Sequence, residues 1–101
     1  MPYLIDATDK PESAALRMAE RAKHLAYVDS HLPRLIAGGP KLRDDGETAC
    51  GTVYIIDVDD RVAAETFIRD DPFSKAGLFG KVENTRWRKV VFDGKKIPPK
   101  T

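Results

Sequence analysis

A histidine at position 24 follows two arginines at helical spacing, Arg17-x3-Arg21-x2-His24. An imidazole titrates near neutrality and can take or give a proton. Guanidinium groups offer fixed donors to a carboxylate or phenolate. Far downstream stands a carboxylate, in Asp71-Pro72-Phe73. A carboxylate beside an imidazole fixes its tautomer and raises its basicity, as the orienting acid of a catalytic triad does. Brought together, His24, Asp71, Arg17 and Arg21 would form a site for proton transfer on a small anionic molecule. Each also has a plainer reading. At about 100° per residue, Arg17, Arg21, His24 and Val28 fall within about 60° of one another. From periodicity alone that stripe reads as a solvated basic face. An aspartate before proline is a common N-cap, its side chain accepting from backbone N–H groups of the next turn. Nothing local decides between these readings.

The other reactive residues are weaker candidates. His31 shares a helical face with His24 only if the helix passes Pro33, so a metal site is not expected. Gly38-Gly39-Pro40 lacks the strand-to-helix context of a phosphate loop and reads as a tight turn. Cys50 has no base beside it and reads as a small packing residue. Trp87 reads as a core or interface residue that could also wall an aromatic ligand. The expected chemistry needs no cofactor.

The elements that must position these groups follow from the patterning. Tyr3 to Thr8 alternates as a strand, with Tyr3, Ile5 and Ala7 on one face. Pro11 suits the first turn of a helix running to about Asp29. Its apolar stripe is Ala15, Met18, Ala19, Ala22, Leu25 and Ala26, and the His24 stripe lies beside it, about 120–130° away. Arg34 to Ala37 is a second strand, with Gly38-Gly39-Pro40 as its exit. Gly51 to Val58 is a third, and Val53-Tyr54-Ile55-Ile56 is apolar on both faces. Asp59-Asp60 caps a second helix with Val62, Ala63, Phe67 and Ile68 inward, ending near Asp70. A helical turn over Pro72–Ala76 and a loop over Gly77–Gly80 follow. A long strand spans Lys81 to Asp93, with Trp87, Val90, Val91 and Phe92 as its apolar part.

The order β-α-β-β-α-β predicts an α+β, ferredoxin-like domain: a four-stranded antiparallel sheet with two helices on one face. One helical layer covers one face only. The doubly apolar third strand therefore predicts a homodimer through the other sheet face. The plainer alternative puts Tyr54 and Ile56 under a loop. The domain is expected over residues 1–93, with Gly94 to Thr101 as a mobile basic tail.

Composition narrows the function classes. The 101 residues suggest one domain. Lys and Arg total 17 against 16 Asp and Glu, so no net field attracts nucleic acid. The single cysteine rules out an internal disulfide and points to the cytoplasm. No run reaches the ~18 apolar residues of a membrane span.

Taken in order, the motifs resemble those of the YciI-like, or YCII-related, family. They are Arg17-x3-Arg21-x2-His24-Leu25-x-Tyr27, Gly38-Gly39-Pro40, Gly51-Thr52 opening an apolar strand, Asp70-Asp71-Pro72-Phe73-x-x-Ala76-Gly77-Leu78, and Trp87. The resemblance covers the chain up to Phe92. It implies a dimeric α+β barrel, the architecture of muconolactone isomerases and small cofactor-free monooxygenases. It also implies a His–Asp active pair matching His24 and Asp71. Most members have no assigned reaction, and one branch removes chloride from a chlorinated hydroxyquinol. The expected function is a lyase or isomerase acting on a small anionic or aromatic molecule. His24 would be the acid/base, Asp71 its orienting partner, and Arg17 and Arg21 the ligand holders. The alternative is a non-catalytic dimeric binding or accessory module.

Overall fold

Alternation sets the first strand. Tyr3, Ile5 and Ala7 are buried, while Leu4 and Asp6 on the opposite face are half-buried. In the computed structural model, which describes residues 1–98, this strand is β1 (Pro2–Asp9). It is followed by α1 (Ala14–Asp29), β2 (Leu35–Leu42), β3 (Ala49–Asp57), α2 (Arg61–Asp70), the short α3 (Pro72–Lys75) and β4 (Phe79–Arg86). The sheet order is β2-β3-β1-β4 with every neighbouring pair antiparallel. This is the ferredoxin-like order predicted from the sequence.

The core lies between the helices and one sheet face. Tyr3, Ile5, Tyr54 and Ile56 meet Ala64, Phe67 and Ile68 of α2, with Tyr27 and Val28 of α1 packed against them. Tyr54 and Ile56 thus sit under the helices. Leu4 pairs with Ile55 and Asp6 with Val53 on the face that carries neither helix. The Asp60 side chain caps α2, accepting from Ala63 N–H at 2.8 Å. Val62, expected inward, is 68% exposed because that helix turns Ala64, Phe67 and Ile68 to the sheet.

The first helix differs more from its expected orientation. It starts at Ala14, three residues past Pro11, because Glu12 adopts φ 57° and breaks the helical path. Its Ala-rich stripe faces outward: Met18 is 72% and Leu25 41% exposed. The inward face carries Arg17, His24, Tyr27 and Val28 instead. Four of the six residues in the predicted stripe are alanines, whose methyls bury little area. The aromatic body of Tyr27, Val28 and the buried hydrogen bonds of Arg17 and His24 outweigh them.

Two further boundaries shift. Gly38-Gly39-Pro40 does not end β2 but continues it along the sheet edge, where proline is tolerated. A Cβ at Gly38 would lie 3.0 Å from Cδ1 of Tyr54, so glycine lets the strand pass close to that ring. At the other end, β4 stops at Arg86 and the predicted long strand breaks. Val91–Phe92 (β5) and Lys95–Lys96 (β6) form a separate hairpin. Its turn residues Asp93 and Gly94 both have positive φ, 52° and 73°, the two-residue geometry that favours Asp-Gly. The tail expected from Gly94 therefore begins with the turn and second strand of this hairpin, and its last three residues lie outside the described residues.

Gly51 marks a close crossing of β3 with β1. A Cβ there would collide with the Ala7 carbonyl oxygen and with Cε of Lys41, which crosses the strand to reach Asp6 and Thr8. Gly51→Ala is expected to destabilise by about 1–3 kcal/mol, since backbone cannot yield as a side chain does. Urea unfolding measures it, and a midpoint equal to wild type would remove this account of the glycine.

Candidate active site

Local rules bring Asp71 to the site. It precedes proline and is extended (φ −61°, ψ 130°), so α2 ends at Asp70. It then caps α3, its Oδ1 accepting from Phe73 N–H at 2.9 Å. The inward face of α1 places His24 Nδ1 2.9 Å from Oδ1 and 3.1 Å from Oδ2. From β3, the Tyr54 hydroxyl donates to Oδ2 at 2.8 Å. Asp71 is fully buried and His24 is 9% exposed. The cap and the imidazole contact coexist, because a carboxylate has lone pairs enough for both.

The donors around Asp71 fix the proton positions. Phe73 N–H can only donate. Burial, and then the charge and hydrogen bond of Asp71, push the Tyr54 phenol far above its ordinary pKa, so it stays a donor. The carboxylate accepts from three groups, and Nδ1 of His24 carries its proton toward it. In the neutral ring this leaves Nε2 as the acceptor nitrogen. The ring plane is held by stacking on Phe73, with centroids 4.0 Å apart and planes 12° apart. Tyr54 was read from the sequence only as an apolar strand residue. The available signal was its hydroxyl, since a buried tyrosine needs a partner for that group.

Arg17 bonds to the strands beside this cluster. Its Nε and Nη2 donate to the two Asp9 oxygens at 2.7 and 3.0 Å, and Nη2 also reaches Gly51 O (2.9 Å) and Thr52 Oγ1 (3.1 Å). Its guanidinium lies over the Phe73 ring at 4.7 Å. Through these contacts Arg17 ties α1 to β1 and β3 and braces Phe73. Two turns of helix separate it from His24, about 10 Å along the axis. Arg21 is exposed, one turn before His24, and joins no ion pair among the described residues. His31 lies beyond the helix end, Nδ1 at 2.8 Å from Tyr27 O, its ring against Tyr27 and Phe67. Cys50 is half-buried beside a cavity of about 380 Å³ next to Asp9 and Ser13, which does not include His24.

Burial also raises Tyr27, to about 12, with the charges of Asp70 and Asp71 adding to the shift. The unfolded chain ionises these phenols near the ordinary 10, before the folded chain does. Stability is therefore expected to fall as pH rises from about 10 toward 12. Tyrosinate absorbance should show Tyr27 and Tyr54 ionising together with loss of far-UV dichroism. Ionisation of both in a still-folded chain would overturn this.

The YCII-related domain pattern matches residues 1–88. The chain belongs to the YCII-related family. Another protein similar to this YCII-related chain is an uncharacterised protein of Haemophilus influenzae, 30% identical over 97 residues, covering 89% of this chain and 99% of the relative. A solved structure is also similar: 5-chloro-2-hydroxyhydroquinone dehydrochlorinase from Burkholderia phenoliruptrix AC1100, in complex with 2,5-dihydroxybenzoquinone. It is 33% identical with a TM-score of 0.81, covering 87% of this chain and 94% of that one. The YCII-related chain thus has the ferredoxin-like fold of the dimeric α+β barrel class. Among its described residues, no helix is long and apolar enough to cross a membrane.

Proposed function

We propose that this YCII-related protein is a small-molecule enzyme of the lyase or isomerase type, with His24 as general base and acid. The observation that carries the reading is the buried His24–Asp71 contact at 2.9 Å, which leaves Nε2 free to accept a proton. Nε2 takes a proton from a ring hydroxyl and the imidazolium returns it to the chlorine-bearing ring carbon, giving the keto tautomer; loss of a second hydroxyl proton then forms a new C=O and a C=C to that carbon as chloride leaves, a net loss of HCl. While the proton rests on the imidazole, Asp71 balances the new charge. Arg21, at the exposed rim, holds the anionic oxygen. The similarity to a dehydrochlorinase solved with a dihydroxybenzoquinone supports a hydroxylated, halogenated aromatic ring as the substrate class. A homodimer through the face of Leu4, Val53 and Ile55 and a cytoplasmic setting belong to the same proposal.

The test is chloride release from a panel of chlorinated hydroxyquinols, by wild type and by His24→Ala. Turnover by wild type, lost in the variant, supports the reading. Tight binding without turnover would favour the non-catalytic binding module instead.

A further inference from the structure

The segment after Arg88 lies outside the family pattern, which ends at that residue. Trp87 N–H donates to Pro2 O at 3.0 Å, the last hydrogen bond to the domain body among the described residues. Among the described residues beyond it, the recorded hydrogen bonds are internal: the pairing of β5 with β6 and Ile97 N–H to Val90 O at 2.8 Å. None of the ion pairs reaches them. A two-stranded hairpin of this length is not stable alone in water. Its apolar side chains nevertheless point to solvent: Val90 is 57%, Val91 56% and Phe92 41% exposed. The molecule is 48 Å along its longest axis and its radius of gyration is 14.2 Å, against about 13 Å for a compact chain of this length. A cavity of about 780 Å³ separates it from the sheet end, walled by Ile36, Trp87, Val90 and Ile97.

Charge identifies what fits. Residues 1–87 carry 12 basic side chains against 15 acidic, and residues 88–101 carry five against one. Among the described residues, Arg88, Lys89, Lys95 and Lys96 join no ion pair, so a basic arm hangs from an acidic body. We propose that residues 88–98 form a clasp that closes on a second copy of this chain, Val91 and Phe92 against its apolar surface and Lys95 and Lys96 toward its acidic one. The proposal rests on the dimeric reading above and adds a contact from outside the matched family pattern.

Sedimentation equilibrium of full-length variants tests it. Val91→Asp with Phe92→Asp should weaken dimerisation at least about tenfold, as loss of a buried aromatic anchor does. Lys95→Glu with Lys96→Glu should weaken it at low salt and flatten its salt dependence. Unchanged far-UV dichroism and thermal midpoint keep a folding defect apart from lost association. Dimerisation as tight as wild type in both double variants, with Ile55→Lys alone dissociating the pair, would overturn the clasp and leave the sheet-face dimer standing. A wild-type protein that stays monomeric would overturn both.

Discussion

Asp71→Ala is expected to destabilise the protein by about 3–5 kcal/mol and to remove nearly all turnover. The side chain is fully buried and accepts from Phe73 N–H, the Tyr54 hydroxyl and His24 Nδ1. Alanine would leave three buried donors without an acceptor, each costing about 1–3 kcal/mol unless water enters. It also removes the cap of α3 that seats Phe73 under the imidazole. Asp71→Asn separates stability from chemistry. An amide keeps the shape and one acceptor oxygen, but its NH₂ must face one of the three donors. Where it faces His24, Nδ1 must accept, and the proton moves to Nε2, the nitrogen meant to act as base. Nitrogen-15 spectra of the imidazole should show Nδ1–H in wild type and a changed tautomer in Asp71→Asn. A changed tautomer in Asp71→Asn with wild-type turnover would refute the orienting role of Asp71.

His24→Ala is the second large effect, on rate more than on fold. Loss of a general acid/base typically removes ~10²–10⁴ of rate. The carboxylate it leaves still accepts from Phe73 N–H and Tyr54, so no bare charge is stranded. The lost stacking on Phe73 should cost about 1–3 kcal/mol, less than Asp71→Ala. Urea unfolding of both variants gives the order, and chloride release gives the rate. A folded His24→Ala protein with wild-type turnover would rule out the pair as catalytic. A stability loss larger than that of Asp71→Ala would show that the imidazole, not the carboxylate, organises the cluster.

Much of the frame was legible because it depends on neighbours in sequence. The alternation at Tyr3, Ile5 and Ala7, the Asp60 cap and the stop at Asp71-Pro72 are local rules, and the structure follows them. The inward face of α1 was not legible. Periodicity ranks side chains by polarity, and it ranked four alanines above Arg17 and His24. What reversed that order was the set of acceptors the sheet and α3 offer beneath the helix: Asp9, Gly51 O, Thr52 and Asp71. A polar side chain is buried when its partners are waiting, and those partners come from distant positions. The C-terminal error was different in kind. Asp93-Gly94 is a local hairpin signal that the apolar run Val90 to Phe92 obscured.

By itself, the sequence determined the element order, the sheet topology and the cap that fixes the backbone of Asp71. Through its motifs it also pointed to His24 and Asp71 as a pair. Only the tertiary structure decided that the two side chains meet, that Tyr54 completes the carboxylate's donors, and that Arg17 serves the frame while Arg21 stays at the rim. The reason is physical. Helix and strand propensities act over a few residues, but a buried hydrogen bond between positions 24 and 71 exists only when the whole sheet has set the distance between them.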